Sequence, residues 1–293
     1  MASTGVKLID IAVNFTDGMF RGIYHGKQCH AADIPAVLAR AWASGVDRII
    51  VTGGSLKESR EALEIAETDG RLFCTVGVHP TRCGEFEESG DPEGHFQALL
   101  ALAKEGIAKG KVFPGGVTHS FTGTAEDRDK LLSFEKMFIG INGCSLKTSE
   151  NLEVLQGIPA ERMMIETDSP YCDIKNTHAG IKFVKSVWPS KKKEKYEPDS
   201  TVKGRNEPCL VRQVLEVVAG CKGIADIEGL SKTLYHNTCR LFFPQDLDAS
   251  ADAQLESASE GSEGFDWLVM ETWTLSTLPA SEKVWEISPE VMV

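Results

Sequence analysis

Polar and titratable side chains stand at the downstream ends of six short apolar runs in this sequence. They are Asp10 and Asn14, the segment 53–55, His79, His119, Asn142, and Glu166 with Asp168. Imidazole nitrogens and carboxylate oxygens are common ligands of divalent cations, so His119 is a candidate metal ligand. A lone histidine is more often a core or surface residue, and its role here depends on the partners that the fold brings to it.

The six apolar runs predict β-strands. They are KLIDIAV (7–13), DRIIVTG (47–53), LFCTVGV (72–78), GGVTHSF (115–121), MFIGING (137–143) and RMMIETD (162–168). Between most of them lie stretches such as AADIPAVLARAWASG, in which apolar residues recur at helical spacing and glycine stands near the end. This alternation predicts a parallel sheet. Because the chemistry of a (β/α)₈ barrel lies at the carboxyl ends of its strands, the polar residues there favour a barrel over a doubly wound sheet.

A closed barrel of this kind has eight strands, and the sequence offers six. Eight βα units take about 250 residues, or roughly 30 for each unit, so about 60 residues are missing. We place the gap near residues 111–113, where the helix-like stretch ALLALAKEGIAKGK runs through Val-Phe-Pro directly into the run 115–121. The predicted fold is therefore an α/β TIM barrel that lacks two βα units.

Charge is distributed unevenly along the 293 residues. The formal net charge is −12, but residues 246–293 contain 11 of the 43 acidic residues and one base, Lys283, so residues 1–245 carry only −2. The body is therefore nearly neutral and does not repel a polyanion as strongly as the whole chain suggests. We divide the chain into a barrel domain, residues 1–245, and an acidic tail, residues 246–293, whose composition predicts disorder.

The cysteines and the amino terminus indicate the compartment. The eight cysteines form no Cys-x-x-Cys pair, which argues against a zinc knuckle or a dithiol redox motif. The amino terminus lacks the basic and apolar regions of a signal peptide, and no later run is long enough to cross a membrane. We expect a reduced compartment, the cytoplasm or the nucleus, and no membrane partner.

Residues 171–208 form an irregular, lysine-rich insert, which we call the basic loop. Its candidate nucleic-acid contacts are Lys191, Lys192, Lys193, Lys195 and Arg205, interleaved with aromatic residues. Basic side chains neutralise phosphates, and aromatic rings stack on bases. The alternatives are a solvated loop without a ligand and, for Arg205, a structural contact with Glu207.

Eight segments in order resemble the TatD family of metal-dependent deoxyribonucleases, in particular its eukaryotic branch. They are LIDIAVNFTD, TGGS, VGVHP, GGVTHSFTG, IGINGCS, MMIETDSP, RNEP and NTCRLFF, and they span residues 7–245. The resemblance implies a TIM barrel that hydrolyses DNA phosphodiester bonds. It also implies a divalent cation, with Mg²⁺ as the first candidate, and single-stranded DNA or 3′ ends as the partner.

The resemblance assigns roles to individual residues. His119 in VTHSF and Asp168 in IETDSP match two metal ligands of the family. Asp168 also matches a carboxylate that takes a proton from the attacking water in related barrel hydrolases. Further candidates to line the site are Asp10, Asn14, His79, Asn142 and Glu166.

The sequence departs from the family pattern at the other ligands. Ala12 and Asn14 stand where bacterial members have a His-x-His pair, as in the eukaryotic branch. The Glu ligand after strand four and the His ligand after strand five both fall in the gap near 111–113. Mg²⁺ prefers several oxygen ligands in octahedral geometry, so the remaining His and Asp would hold it weakly. We expect an impaired nuclease. The alternatives are a noncatalytic nucleic-acid or protein-binding derivative and a non-functional splice product.

Overall fold

A computed structural model describes residues 5–111, 117–134 and 137–247 of the chain. Beyond residue 247, the predicted acidic tail lies outside the described residues. Within these ranges no helix is long and apolar enough to cross a membrane.

All six predicted strands are present, and each overlaps the run that predicts it. In chain order the strands of the described residues are β1 Leu8–Val13, β2 Ile23–Tyr24, β3 Lys27–Gln28, β4 Val46–Val51, β5 Leu72–Cys74, β6 Val117–Thr118, β7 Phe138–Ile141, β8 Met163–Ile165, β9 Ser190–Lys191 and β10 Thr201–Val202. Of these, β1 and β4 to β8 correspond to the six runs. The two short pairs, β2 with β3 and β9 with β10, lie apart from the main sheet.

Helices follow most of the main strands, as a barrel requires. Within the described residues they are α1 Ile34–Ala43, α2 Leu56–Ala66, α3 Glu85–Glu88, α4 Pro92–Ala108, α5 Ala125–Leu132, α6 Ser149–Gln156, α7 Val211–Lys222 and α8 Ile227–Phe242. Side-chain caps fix where several of them begin. Ser55 accepts a hydrogen bond from the backbone N–H of Glu58 at the start of α2, and Thr124 and Asp127 cap the start of α5 reciprocally.

The main strands form two parallel three-stranded sheets that meet between β1 and β8. One sheet has the order β1-β4-β5 and the other the order β6-β7-β8. The backbone N–H of Asn14 donates to the carbonyl of Ser169 at 2.7 Å, and that of Asp168 donates to the carbonyl of Ala12 at 2.9 Å. The six strands therefore run in the spatial order β5-β4-β1-β8-β7-β6, which places the carboxyl ends of β1, β8, β7 and β6 side by side.

The outer strands of this order, β5 and β6, lie on either side of the predicted gap near residues 111–113. The backbone N–H of Cys74 donates to the carbonyl of Lys111 at 2.8 Å, so the chain after α4 returns alongside β5 as the start of a next strand would. No pairing joins β5 to β6 within the described residues.

The buried side chains of the strands are divided between two apolar clusters. Ile9 and Ile11 of β1 belong to a buried apolar cluster with Phe242 and Phe243 at the end of α8. Leu8 and Val13 belong instead to the larger cluster that the flanking helices cover. Phe243 is fully buried, so the end of α8 is part of the barrel body.

Candidate active site

Glu166 is the centre of a hydrogen-bonded cluster at the carboxyl ends of β6, β7 and β8. Its carboxylate is fully buried and accepts hydrogen bonds from the backbone N–H of Ser120 at 2.7 Å and the side-chain amide of Asn142 at 3.0 Å. The Nδ1 atom of His119 lies 2.6 Å from the Oε2 atom of Glu166. We call these four residues the Glu166 cluster. Three of them, His119, Asn142 and Glu166, were predicted to belong to the site.

The contact with Glu166 sets the chemistry of the His119 ring. Burial by itself lowers the pKa of His119, but the charge and hydrogen bond of the Glu166 carboxylate outweigh it, so the pKa is raised. Ligation through one ring nitrogen, with a carboxylate on the other, is the usual arrangement of a metal-binding histidine. The contact through Nδ1 therefore leaves Nε2 of His119 as the nitrogen that could bind a cation.

Asp168 lies in the loop after β8, in contact with the loop after β1. Its Oδ1 atom accepts a hydrogen bond from the side-chain amide of Asn14 at 2.9 Å, and its Oδ2 atom accepts one from the Cys172 thiol at 3.2 Å. Burial, and then the charge of Glu166, raise the pKa of Asp168 above its ordinary value. The predicted pair Asp168 and Asn14 is thus in direct contact.

The site contains several non-glycine residues in left-handed backbone conformation. Ser120 has a φ of 49°, Asp168 of 54° and Cys172 of 52°. Such residues cost conformational energy and are concentrated at functional sites, where the surrounding structure holds them in place. This conformation of Ser120 and Cys172 could not be predicted from the sequence, because neither is a residue type that favours it.

Asp10 is buried beneath the site and braces β1 against the end of β8. Its carboxylate accepts hydrogen bonds from the hydroxyl of Thr167 at 2.6 Å and the backbone N–H of Thr167 at 2.9 Å. Burial raises the pKa of Asp10 to about 8, and the charge of Glu166 adds to this effect. The residue lies next to the site, and its described hydrogen bonds come from Thr167 and from the backbone N–H of Ala12.

We expect Asp10 to make the free energy of unfolding fall as the pH rises. Because its folded pKa of about 8 exceeds the ordinary 3.8, the folded state keeps a proton in this range that the unfolded state has lost. The stabilisation is complete below the unfolded pKa and is lost as the pH rises through the folded pKa. Between about pH 5.5 and 8.5 the loss should be about 3 kcal/mol.

The measurement for this prediction is urea unfolding of the native chain and of Asp10→Asn at both pH values. The variant has no titrating carboxyl at this position. Between the two pH values its free energy of unfolding should therefore fall by about 3 kcal/mol less than that of the native chain. Equal changes in the two proteins would contradict the assignment.

His79 lies apart from the Glu166 cluster. Its side chain is exposed, and its Nδ1 atom accepts a hydrogen bond from the backbone N–H of Thr81 at 3.2 Å in the turn that begins at Pro80. The described contacts of His79 thus order a turn, and they place no site residue beside it.

The donors present do not form a complete metal site. Across residues 5–111, 117–134 and 137–247, no group of three or more His, Cys, Asp or Glu side chains could hold a metal ion. Glu166 and Asp10 are close to His119 and Asp168, but their oxygens are occupied by hydrogen bonds from the chain. The described residues therefore fit a fully ligated divalent cation poorly.

Comparisons with known proteins agree with the fold. The family described as TatD related DNase matches residues 9–112 and 96–243 of this chain. The chain belongs to the TatD family. A relative named Deoxyribonuclease Tat-D from Schizosaccharomyces pombe is 34% identical, and the match covers 80% of this chain and 96% of the relative. A putative deoxyribonuclease TATDN1 homolog from Encephalitozoon cuniculi is 41% identical over 80% of this chain and 95% of its own length.

Solved structures support the same TatD fold. A hydrolase of the TatD family from Entamoeba histolytica superposes with a TM-score of 0.76 at 31% identity, covering 83% of this chain and all of that one. An amidohydrolase described as uncharacterized, from Saccharomyces cerevisiae, superposes with a TM-score of 0.72 at 29% identity. The TIM-barrel prediction is confirmed.

The TatD alignments also bear on the gap. The match to the S. pombe relative runs over 300 positions but uses 80% of this 293-residue chain, so about 66 positions have no counterpart residue here. The family match is split into two segments that overlap at residues 96–112. Both features agree with a deletion of about two βα units near residues 111–113.

Arg205 is not available to nucleic acid, contrary to the prediction that it contacts DNA. Its guanidinium is fully buried and makes two hydrogen bonds to Asp33, at 2.8 and 2.6 Å, and one to Glu207 at 2.9 Å. Arg40 bonds the second carboxylate oxygen of Glu207 at 2.8 Å. Only the alternative interpretation, a structural contact with Glu207, fits this geometry. The contact of Arg205 with Asp33 could not be predicted from the sequence, because the two residues are 172 positions apart.

Part of the basic loop faces a cavity of about 390 Å³. The lining residues are Met19, Tyr24, His25, Lys192, Lys193, Glu194, Lys203 and Gly204. The ammonium of Lys193 lies 4.9 Å from the centre of the Tyr24 ring, while Lys191 is paired with Glu197. We call this space the lysine cavity. Sequence reasoning missed Tyr24, because the hairpin β2–β3 that carries it is remote from the loop in sequence.

Proposed function

We propose that this chain is a TatD-type deoxyribonuclease of low activity, which hydrolyses phosphodiester bonds of single-stranded DNA from 3′ ends with a divalent cation, Mg²⁺ first. The observation that carries the proposal is family membership together with the position of His119, Glu166 and Asp168 at one face of the barrel, where His119 contacts Glu166. Bacterial relatives support hydrolysis from the 3′ end. One from Edwardsiella piscicida is named 3′-5′ ssDNA/RNA exonuclease TatD and is 29% identical over 80% of this chain.

The residues present supply a proton acceptor and only part of a cation site. The carboxylate of Asp168 has a raised pKa and partial exposure, which suit it to take a proton from an attacking water. A cation would contribute neutralisation of the charge that develops on the phosphate. His119 and Asp168 are the residues that would bind it, and the poor donor set accounts for the low activity that we propose.

We expect slow release of nucleotides from a 3′-labelled single strand, dependent on Mg²⁺ and abolished by a chelator. Asp168→Asn should lower the rate by at least about 100-fold, because the variant cannot accept the proton. The matched control is Asp129→Asn, since Asp129 is an exposed aspartate on α5. Equal rates for the chain and Asp168→Asn would favour the noncatalytic binding derivative instead.

We also propose that the lysine cavity contacts the DNA strand. Lys192 and Lys203 are exposed at its rim, and the ammonium of Lys193 lies over the ring of the buried Tyr24. Phosphates of a single strand are attracted by such lysines. Lys191 and Lys195 of the basic loop remain predicted contacts, although the ion pair with Glu197 reduces the charge that Lys191 can offer.

Replacing Lys192, Lys193 and Lys203 together by Gln should weaken binding of single-stranded DNA and flatten its salt dependence. Each lost phosphate contact lowers the slope of log affinity against log salt by about 0.7, so the slope should fall by about 2. The measurement is fluorescence anisotropy across a salt series. A triple variant at the exposed Lys57, Lys104 and Lys130 controls for net charge. The proposal fails if both triple variants show the same slope.

The proposed location is the cytoplasm or the nucleus. All eight cysteines are unpaired by disulfides. Free cysteines in this number are typical of a reduced compartment.

A further inference from the structure

Two thiols of the site lie in contact, one of them on the Asp168 carboxylate. The Sγ atoms of Cys144 and Cys172 are 2.8 Å apart, and the Cys172 thiol donates to Oδ2 of Asp168. Cys144 lies in the turn after β7 and Cys172 in the loop after β8. Neither residue has a role in the proposed hydrolysis.

The backbones around the two thiols are also in close contact. A Cβ atom on residue 143 would overlap the carbonyl oxygen of Cys172, so only glycine fits at Gly143. Two cysteines can be joined without backbone movement when their Cα atoms lie within about 7 Å and their side chains face each other. The contact between the sulfur atoms shows that the two side chains face each other, and the approach at Gly143 shows that the two backbone segments are in contact.

Both thiols are accessible. Cys144 and Cys172 are half-buried, so a small oxidant can reach them. When two thiols lie in contact, one sulfur can be oxidised to a sulfenic acid and the other can condense with it to form a disulfide.

We propose that Cys144 and Cys172 form a reversible disulfide in response to hydrogen peroxide. The sulfur of Cys144 attacks peroxide, the O–O bond breaks, and a sulfenic acid and one water are formed. The sulfur of Cys172 then attacks the Cys144 sulfur, the S–O bond breaks, and a second water leaves. The two sulfur atoms supply two electrons to the peroxide, and the two thiol protons end in the waters.

The disulfide would change the surroundings of Asp168. The Cys172 thiol is a hydrogen-bond donor to Oδ2 of Asp168, and a disulfide sulfur carries no proton. Oxidation therefore removes one of the two donors that hold this carboxylate and joins the loop after β7 to the loop after β8. Oxidation of the two thiols would thus change the hydrogen bonding of Asp168, the carboxylate to which we assign proton transfer.

The test is peptide mapping of the purified chain after treatment with hydrogen peroxide and alkylation of the remaining thiols. We expect a Cys144–Cys172 cross-link that dithiothreitol reverses and that forms at least about 10-fold faster than oxidation of the exposed Cys83, because the two sulfurs are already in contact. The thermal midpoint of the oxidised chain should rise, since a cross-link restricts the unfolded state.

Cys172→Ser should abolish both the cross-link and the rise in midpoint, whereas Cys83→Ser should change neither. Oxidation of Cys83 with Cys144 and Cys172 still open to alkylation would overturn the proposal, and so would scrambled pairing among the other cysteines. The mapping of the unsubstituted chain does not depend on the folding of any variant. The mapping also needs no nuclease activity, so its result tests the disulfide independently of the proposed function.

Discussion

Restoring the two missing βα units is expected to raise the rate of single-stranded DNA cleavage by about 1,000-fold or more. A segment of about 60 residues, the length of two βα units, would be inserted at the junction 111–113. It should supply a Glu and a His to complete the set begun by His119 and Asp168. A cation held by four protein ligands neutralises charge on the phosphate and activates water, which two ligands cannot do well. The measurement is the initial rate of nucleotide release from a 3′-labelled strand in Mg²⁺.

Two controls separate the ligands from the fold. An insert whose Glu and His are replaced by Gln and Asn restores the strands without the ligands, so it should regain stability but little activity. Asp168→Asn in the restored chain should remove the gained activity. If the 293-residue chain cleaves DNA as fast as the restored one, the deletion does not impair it and the site must recruit other groups.

Arg205→Met is expected to lower the free energy of unfolding by about 3–5 kcal/mol, because it leaves buried carboxylates without their partner. Asp33 loses both of its hydrogen bonds from the guanidinium, while Glu207 keeps the bond from Arg40 and a longer one from the backbone N–H of Val202. Desolvated charges in this state must either stay unpaired or take up protons. The measurement is urea unfolding followed by circular dichroism.

The matched control for Arg205 is Arg21→Met. Arg21 pairs with Glu61 at 2.6 Å, but its side chain is half exposed, so the pair is screened by water. Its loss should cost less than about 1 kcal/mol. A comparable loss of stability in the two variants would show that the buried ion pairs of Arg205 contribute no more to the free energy of unfolding than an exposed pair does.

The strands could be predicted from the sequence because each is a compact apolar run rich in β-forming residues. The predicted run 7–13 contains β1, and 162–168 contains β8. The predicted ends were less accurate. The run 72–78 extends four residues beyond β5, and beyond Cys74 the backbone contacts are separate ones, from Thr75 to the carbonyl of Val51 and from His79 to the carbonyl of Gly54. Apolar composition alone does not show where a strand stops pairing.

By itself the sequence determined the family, the parallel order of strands and helices, and the gathering of polar residues at one face. These features depend on residues that are close together in the chain or on motifs in a fixed order. The tertiary structure decided which side chains meet. It paired His119 with Glu166, 47 positions away, turned Arg205 into the interior towards Asp33, and brought Cys144 against Cys172, 28 positions away. Such contacts arise only when strands and loops are aligned in space, because the direction and distance of a side chain depend on packing that no local pattern encodes.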